Sequence, residues 1–111
     1  MARRSFRVLW AEAAARDLNE IVAYVAADSP ANAERVLLKI EKRAASLADS
    51  PERGRVVPEL SRFGMRAWRE LVVRPYRLIY RIDGSSVLVL VIFDGRRDIE
   101  DVLLERLTRI T

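Results

Sequence analysis

The residues of this chain best suited to chemistry are arginines. In the stretch Pro75–Ile82, side chains alternate: Tyr76, Leu78, Tyr80 and Ile82 point one way, and Arg77, Ile79 and Arg81 the other. Period-two alternation predicts a strand with one buried face. Its second face then carries two guanidinium groups, planar forks that suit phosphates, carboxylates and bidentate protein contacts. Such a face is either a solvated surface or a site that meets an anion.

Composition limits what else is possible. The 111 residues include no cysteine and no histidine. Disulfides, thiolate nucleophiles, Cys/His zinc sites and histidine bases are therefore excluded. Any reaction must draw on Glu, Asp, Arg, Lys, Tyr or Ser, and no metal or cofactor is expected. Positive charge is unevenly spread: residues 1–52 are neutral, residues 53–97 carry 10 arginines against four acidic groups, and residues 98–111 sum to −2. The excess favours an acidic partner and speeds encounter with it.

The elements that must position these arginines follow from periodicity. Phe6–Trp10 reads as a first strand. Ala14, Leu18, Ile21, Val22 and Val25 then mark one face of a helix. Ser29-Pro30 pairs an N-cap with a proline at the first helical position. The helix it opens carries Ala33, Val36, Leu37, Ile40, Ala44 and Leu47, and closes at Asp49-Ser50-Pro51. The short junction predicts an antiparallel helix hairpin whose apolar stripes need a sheet. Arg55–Pro58 is a short extended piece, Ser61–Met65 a loop, and Arg66–Val73 a strand around Trp68 and Leu71. Asp83-Gly84-Ser85 is a hairpin turn, and Ser86–Phe93, apolar on both faces, reads as a central strand. Asp98 caps a final helix striped by Ile99, Val102, Leu103, Leu107 and Ile110.

The expected architecture is a single α+β domain over residues 1–111. An antiparallel sheet of about four to five strands packs on the N-terminal two-helix hairpin, and a short C-terminal helix follows. Helices are expected on one sheet face, leaving the other partly open. There is no long uncharged apolar run, and Met1–Arg7 lacks the form of a signal peptide, so no membrane and a cytoplasmic location are expected.

Several fragments, in this order and spacing, carry a resemblance through nearly the whole chain. They are Trp10, Asp17-Leu18-Asn-Glu-Ile21-Val-Ala-Tyr24, Asp28-Ser-Pro30 and Leu47–Arg55. Glu59-Leu60, Tyr76-Arg77-Leu-Ile-Tyr80-Arg81-Ile and Gly95-Arg96-Arg97-Asp98 complete the set. Together they resemble the RelE/ParE superfamily of toxins from type II toxin–antitoxin modules, associated with plasmid stabilization. The resemblance implies one of two activities: ribosome-dependent mRNA cleavage, as in RelE-like members, or inhibition of DNA gyrase, as in ParE-like members.

A nuclease needs a base for the ribose 2′-hydroxyl, cations for the scissile phosphate and an acid for the leaving oxygen. By resemblance Glu59 falls at the base position and Arg77 at a phosphate-gripping position, with Arg81 beside it. Where those nucleases carry a His or Tyr, this chain reads Phe93-Asp94-Gly95-Arg96-Arg97. The ending Gly95–Asp98 and the Trp10 and Asp17-Leu18 opening resemble the ParE-like group. The expectation is thus a gyrase inhibitor that acts by binding, with Arg69, Arg77, Tyr80, Arg81, Arg96 and Arg97 as contacts for target or antitoxin. Its partners would be gyrase (or, as the alternative, the ribosome) and a cognate antitoxin. The antitoxin's acidic, apolar C-terminal segment would fold onto the toxin in a hetero-oligomer. The terminal helix, apolar around much of its circumference, is a further candidate for the target contact.

Overall fold

The computed structural model describes residues 5–109, with side chains described through Arg106. In chain order the elements are β1 (Arg7–Trp10), α1 (Glu12–Asp28), α2 (Pro30–Ala45), β2 (Arg55–Val56), α3 (Pro58–Ser61), β3 (Trp68–Val73), β4 (Tyr76–Asp83), β5 (Ser86–Asp94) and α4 (Ile99–Arg109). The expected α+β class holds.

The helix junction forms as its residues dictate. The Ser29 hydroxyl accepts the Asn32 amide at 3.2 Å, and Pro30 opens α2. A cap of this kind contributes about 1 kcal/mol. Ala14 and Leu18 of α1, Ile40 and Ala44 of α2, and Leu47 just beyond pack onto Leu71, Val73, Leu78, Tyr80, Val87, Val89 and Ile92 of the sheet. Each fully buried Leu or Ile here is worth roughly 1.5–3 kcal/mol.

The five strands run in the order β1-β5-β4-β3-β2. β2 through β5 are antiparallel, as expected, whereas β1 lies parallel to β5, with Trp10 opposite Val89. The helix hairpin is the crossover that such a parallel return requires, although β2, β3 and β4 intervene in the chain before β5. Gly84, at φ +59°, sits first in the two-residue β4–β5 turn, where a positive φ favours glycine.

Two findings depart from the sequence reading. The helices do not all share one face: Ile99, Val102 and Leu103 of α4 pack with Leu60 of α3 onto Ile79, Val91 and Phe93, building a second, smaller core. The face expected to be open is therefore largely covered. In addition, β5 contains a bulge. Ile79 pairs with Val91 but Tyr80 pairs with Val89, which leaves Leu90 as an extra residue. The bulge sends Val87, Val89 and Ile92 to the hairpin core, and Val91 and Phe93 to the α4 core.

Of the apolar stripe expected on α4, Ile99 and Val102 are buried and Leu103 is half-buried, while Leu104, outside that stripe, is exposed. The Leu107 side chain and Ile110 lie outside what is described, as does the stretch Met1–Arg4. Asp98 caps the helix, its Oδ1 accepting the Glu100 amide at 2.8 Å.

Candidate binding site

The strand alternation places Arg77 and Arg81 on one sheet face, and their surroundings differ. Arg77 projects between two carboxylates. Its Nε and Nη2 donate to Glu70 at 2.6 and 2.9 Å, while Nη1 and Nη2 donate to Glu59 at 2.9 and 3.0 Å. Phe93 lies beneath it, 5.3 Å from guanidinium carbon to ring centroid. Glu59 reaches Arg77 because Pro58 and Glu59 form the first turn of α3 rather than an extended segment. Glu70, whose side chain is fully buried, also accepts from Arg55 Nε at 3.1 Å.

Charge follows this geometry. Hydrogen bonding from Arg77 holds the Glu59 carboxyl below its usual range despite partial burial. The same contact with Glu59, assisted by Glu70, stabilises the cationic form of Arg77. Arg77 is therefore an occupied cation, with both edges of its fork committed.

The other expected contacts also have partners within the fold. Arg81 lies 5.8 Å from the Trp68 ring centroid, a cation–π arrangement. Arg96 is held by Asp94 at 2.5 Å, and Arg97 by Glu105 at 2.8 Å. Hydrogen bonding from Arg96 pulls the Asp94 carboxyl down to about 2, so it is ionised at neutral pH.

Arg69 and Tyr80 belong to a different structure. Tyr80, expected at a binding surface, is instead fully buried. Its hydroxyl donates to the Pro51 carbonyl at 2.7 Å and accepts the Gly54 amide at 2.9 Å. Arg69 donates to the Gly54 carbonyl at 2.8 Å. Together they clamp the Pro51–Gly54 loop that feeds β2. Any β-carbon at Gly54 would sit 2.4 Å from the Glu70 carbonyl oxygen, so only glycine fits. Burial raises the Tyr80 phenol, and it raises that of Tyr76 as well, so neither is a ready proton donor at neutral pH.

Sequence reasoning passed over Glu70 and Arg106. The signal for Glu70 was its place in β3: Trp68, Glu70 and Val72 share a face, and Ile79 and Arg77 stand opposite Glu70 and Val72. Arg106 of α4 donates to the Leu90 carbonyl at 3.1 Å and to Asp17 of α1, while Asp17 also accepts the Ile92 amide at 3.1 Å. Burial raises the Asp17 pKa, opposed by these hydrogen bonds. No sequence-local pattern links residues 89 positions apart. Among the described residues, no group of His, Cys, Asp or Glu side chains could hold a metal ion, and no helix is long and apolar enough to cross a membrane.

A mixed sheet carrying a helix hairpin on one face and a terminal helix on the other, with arginines aligned on β4, is a RelE/ParE-like α+β fold. Residues 8–99 match the family described as the ParE toxin of the type II toxin–antitoxin system parDE, and the chain belongs to that family. It is 39% identical over 85 residues to Toxin RelE2 of Caulobacter vibrioides, an alignment that spans 75% of this chain and 89% of that protein. Its fold is similar to that in the chromosomal ParDE system from P. aeruginosa, with a TM-score of 0.68 at 22% identity, covering 82% of this chain and 97% of the other. It also resembles the RelBE2 toxin–antitoxin complex of Mycobacterium tuberculosis, with a TM-score of 0.59 at 24% identity, covering 84% and 94%. Relatives of both the ParE and RelE kinds thus share this scaffold.

Proposed function

We propose that this type II toxin acts by binding rather than by cleavage, as a ParE-like inhibitor of DNA gyrase neutralised by a cognate antitoxin. The observation that carries this reading is the closed state of Arg77. A phosphate-gripping arginine must offer its fork to substrate, and here Glu59 and Glu70 fill it. The acid a nuclease needs has no counterpart on this face among the described residues. Asp94 is ionised, and Tyr76 and Tyr80 lie with the hairpin core on the opposite face. The match to the ParE toxin family supports the gyrase target, and the likeness to the ParDE and RelBE2 assemblies supports the antitoxin partner.

The test compares two assays on the purified chain. Loss of gyrase supercoiling, or trapped gyrase–DNA cleavage complexes, at toxin concentrations that leave mRNA on translating ribosomes intact is the expected result. Cleavage of ribosome-bound mRNA with gyrase unaffected overturns the reading. It would favour the nuclease alternative, in which Glu59, Arg77 and Arg81 act together. That alternative draws on the direct Glu59–Arg77 contact and on the similarity to Toxin RelE2.

A further inference from the structure

Two clefts adjoin one another at the end of the sheet where β3 turns into β4. The first, about 620 Å³, lies between Lys39 and Arg43 of α2 and the residues Arg55, Val72 and Arg74. The second, about 420 Å³, continues from Arg55, Val72 and Arg74 to Arg77 and Arg96. Because these three residues line both, the clefts form a single strip. Six cations face it and, among the described residues, no carboxylate does. Arg55, Arg77 and Arg96 have counter-ions in Glu70, Glu59 and Asp94. Lys39, Arg43 and Arg74 have no ion pair among the described residues. The side chains of Arg55 and Arg96 stay 64% and 82% exposed, so both can still donate outward. Clefts lined by one sign of charge focus the field and concentrate the opposite charge.

The make-up of the strip narrows the anion. From Arg55 on β2 to Arg96 beyond β5 is three strand spacings, roughly 14 Å, so the cations spread along a line and do not converge on one point. That suits a polyanion better than a single phosphate. The apolar lining is Val72, Val73 and Pro75, with no aromatic side chain, so a folding peptide finds no anchor. Unstacked bases find no platform either. No Ser, Thr, Asn or Gln lines the strip to read a 2′-hydroxyl or a base edge. What remains is the phosphate backbone of a duplex, which presents about eight charges over that length.

We infer that this strip holds the sugar–phosphate backbone of double-stranded DNA, without sequence preference. Lys39, Arg43 and Arg74 supply the main phosphate contacts, and Arg55 and Arg96 flank them. The gyrase reading supplies the source of the duplex, the DNA that gyrase handles, and the inference rests on that reading there alone.

Fluorescence anisotropy of a labelled duplex of about 20 base pairs, titrated with the full chain and no gyrase, tests the strip. Affinity is expected to fall between about 50 and 200 mM salt with a log–log slope of about −3 or steeper. Lys39→Gln, Arg43→Gln and Arg74→Gln combined are expected to weaken binding about tenfold or more at low salt and flatten the slope by about 2 to 3. Circular dichroism is expected to stay unchanged, because none of the three side chains is tied into the fold by an ion pair. Arg74→Gln alone, in the β3–β4 turn, is expected to flatten the slope by about 1. Arg7→Gln, Arg16→Gln and Arg62→Gln combined remove equal charge at exposed positions outside both clefts, with an expected change of less than about threefold. Parent-like binding by the cleft variants, an equal loss in the control, or stronger competition by duplex RNA or polyglutamate than by duplex DNA overturns the inference. Gyrase assays run in parallel keep the two readings apart. A chain that inhibits gyrase yet leaves the duplex unbound overturns the strip alone. A chain that holds the duplex through the strip while gyrase supercoils normally overturns the gyrase target alone.

Discussion

The sheet has two places where a strand runs past its neighbour, and they are finished in opposite ways. Beyond β1, the edge of β5 is closed by Asp17 and Arg106, which stand in for a missing strand and tie α1 to α4. Beyond β2, the edge of β3 is left open at Val72 with cations around it. A protein that satisfies one edge with a partly buried ion pair has the means to satisfy the other. Closing an edge with a carboxylate and an arginine adds to stability, whereas leaving one open costs little at the solvent boundary and keeps it available for pairing.

The largest expected effect belongs to Arg77, which lies away from both edges on β4. Arg77→Ala strips Glu70, whose side chain has no exposure, of two of its three hydrogen bonds. Urea unfolding is expected to show a loss of about 3–5 kcal/mol. Combining it with Glu70→Leu is expected to recover most of that loss, because the buried charge then leaves with its partner. A double variant as unstable as the single one would mean that the cluster stabilises on balance.

Asp17→Ala comes next. It frees the Ile92 amide and leaves Arg106 without its carboxylate partner, though still bonded to the Leu90 carbonyl, for an expected cost of about 3 kcal/mol, with faster amide exchange at Ile92 while Val72 is unchanged. Tyr80→Phe removes one donor and one acceptor from the Pro51–Gly54 loop and is expected to cost about 1–3 kcal/mol. The smallest effect belongs to Glu59→Gln, under about 1 kcal/mol at neutral pH, because this carboxylate is partly exposed and Arg77 keeps Glu70. Its signature is the acid limb. The Glu59 pKa is depressed in the folded state, so its contribution is complete above the unfolded value of 4.5 and fades as pH falls below it. The variant is expected to lose less stability between about pH 5 and pH 3 than the parent does.

These expectations also mark what the sequence made legible. The two faces of β4 were readable because its alternation is strict, as was the helix junction at Ser29-Pro30, whose cap depends on neighbours in the chain. The Leu90 bulge was hidden because Val87–Phe93 is apolar throughout, so a one-residue shift leaves the pattern unchanged. The parallel seat of β1 was equally hidden, since strand direction leaves no trace in side-chain period. At the candidate site, the arginines were visible but their partners were not. Glu70 and Arg106 act across strand register and tertiary distance, and the residues singled out for partners turned out to have internal ones. The cations Lys39, Arg43 and Arg74, without an ion pair among the described residues, lie on α2 and on the turn before β4, where each alone reads as ordinary surface charge.

The bulge at Leu90 also places a register constraint on the chain. β5 serves two cores only because one surplus residue reverses its inward and outward positions midway. Pairing β5 without the bulge while Leu90 is kept would present Val91 and Phe93 to the helix hairpin and Ile92 to α4, exchanging the contents of both cores, whereas deleting Leu90 leaves a regular ladder with Tyr80 opposite Val89, Ile79 opposite Val91 and both cores intact. For this strand the position of the register shift is a folding instruction in its own right, independent of which apolar residues are used.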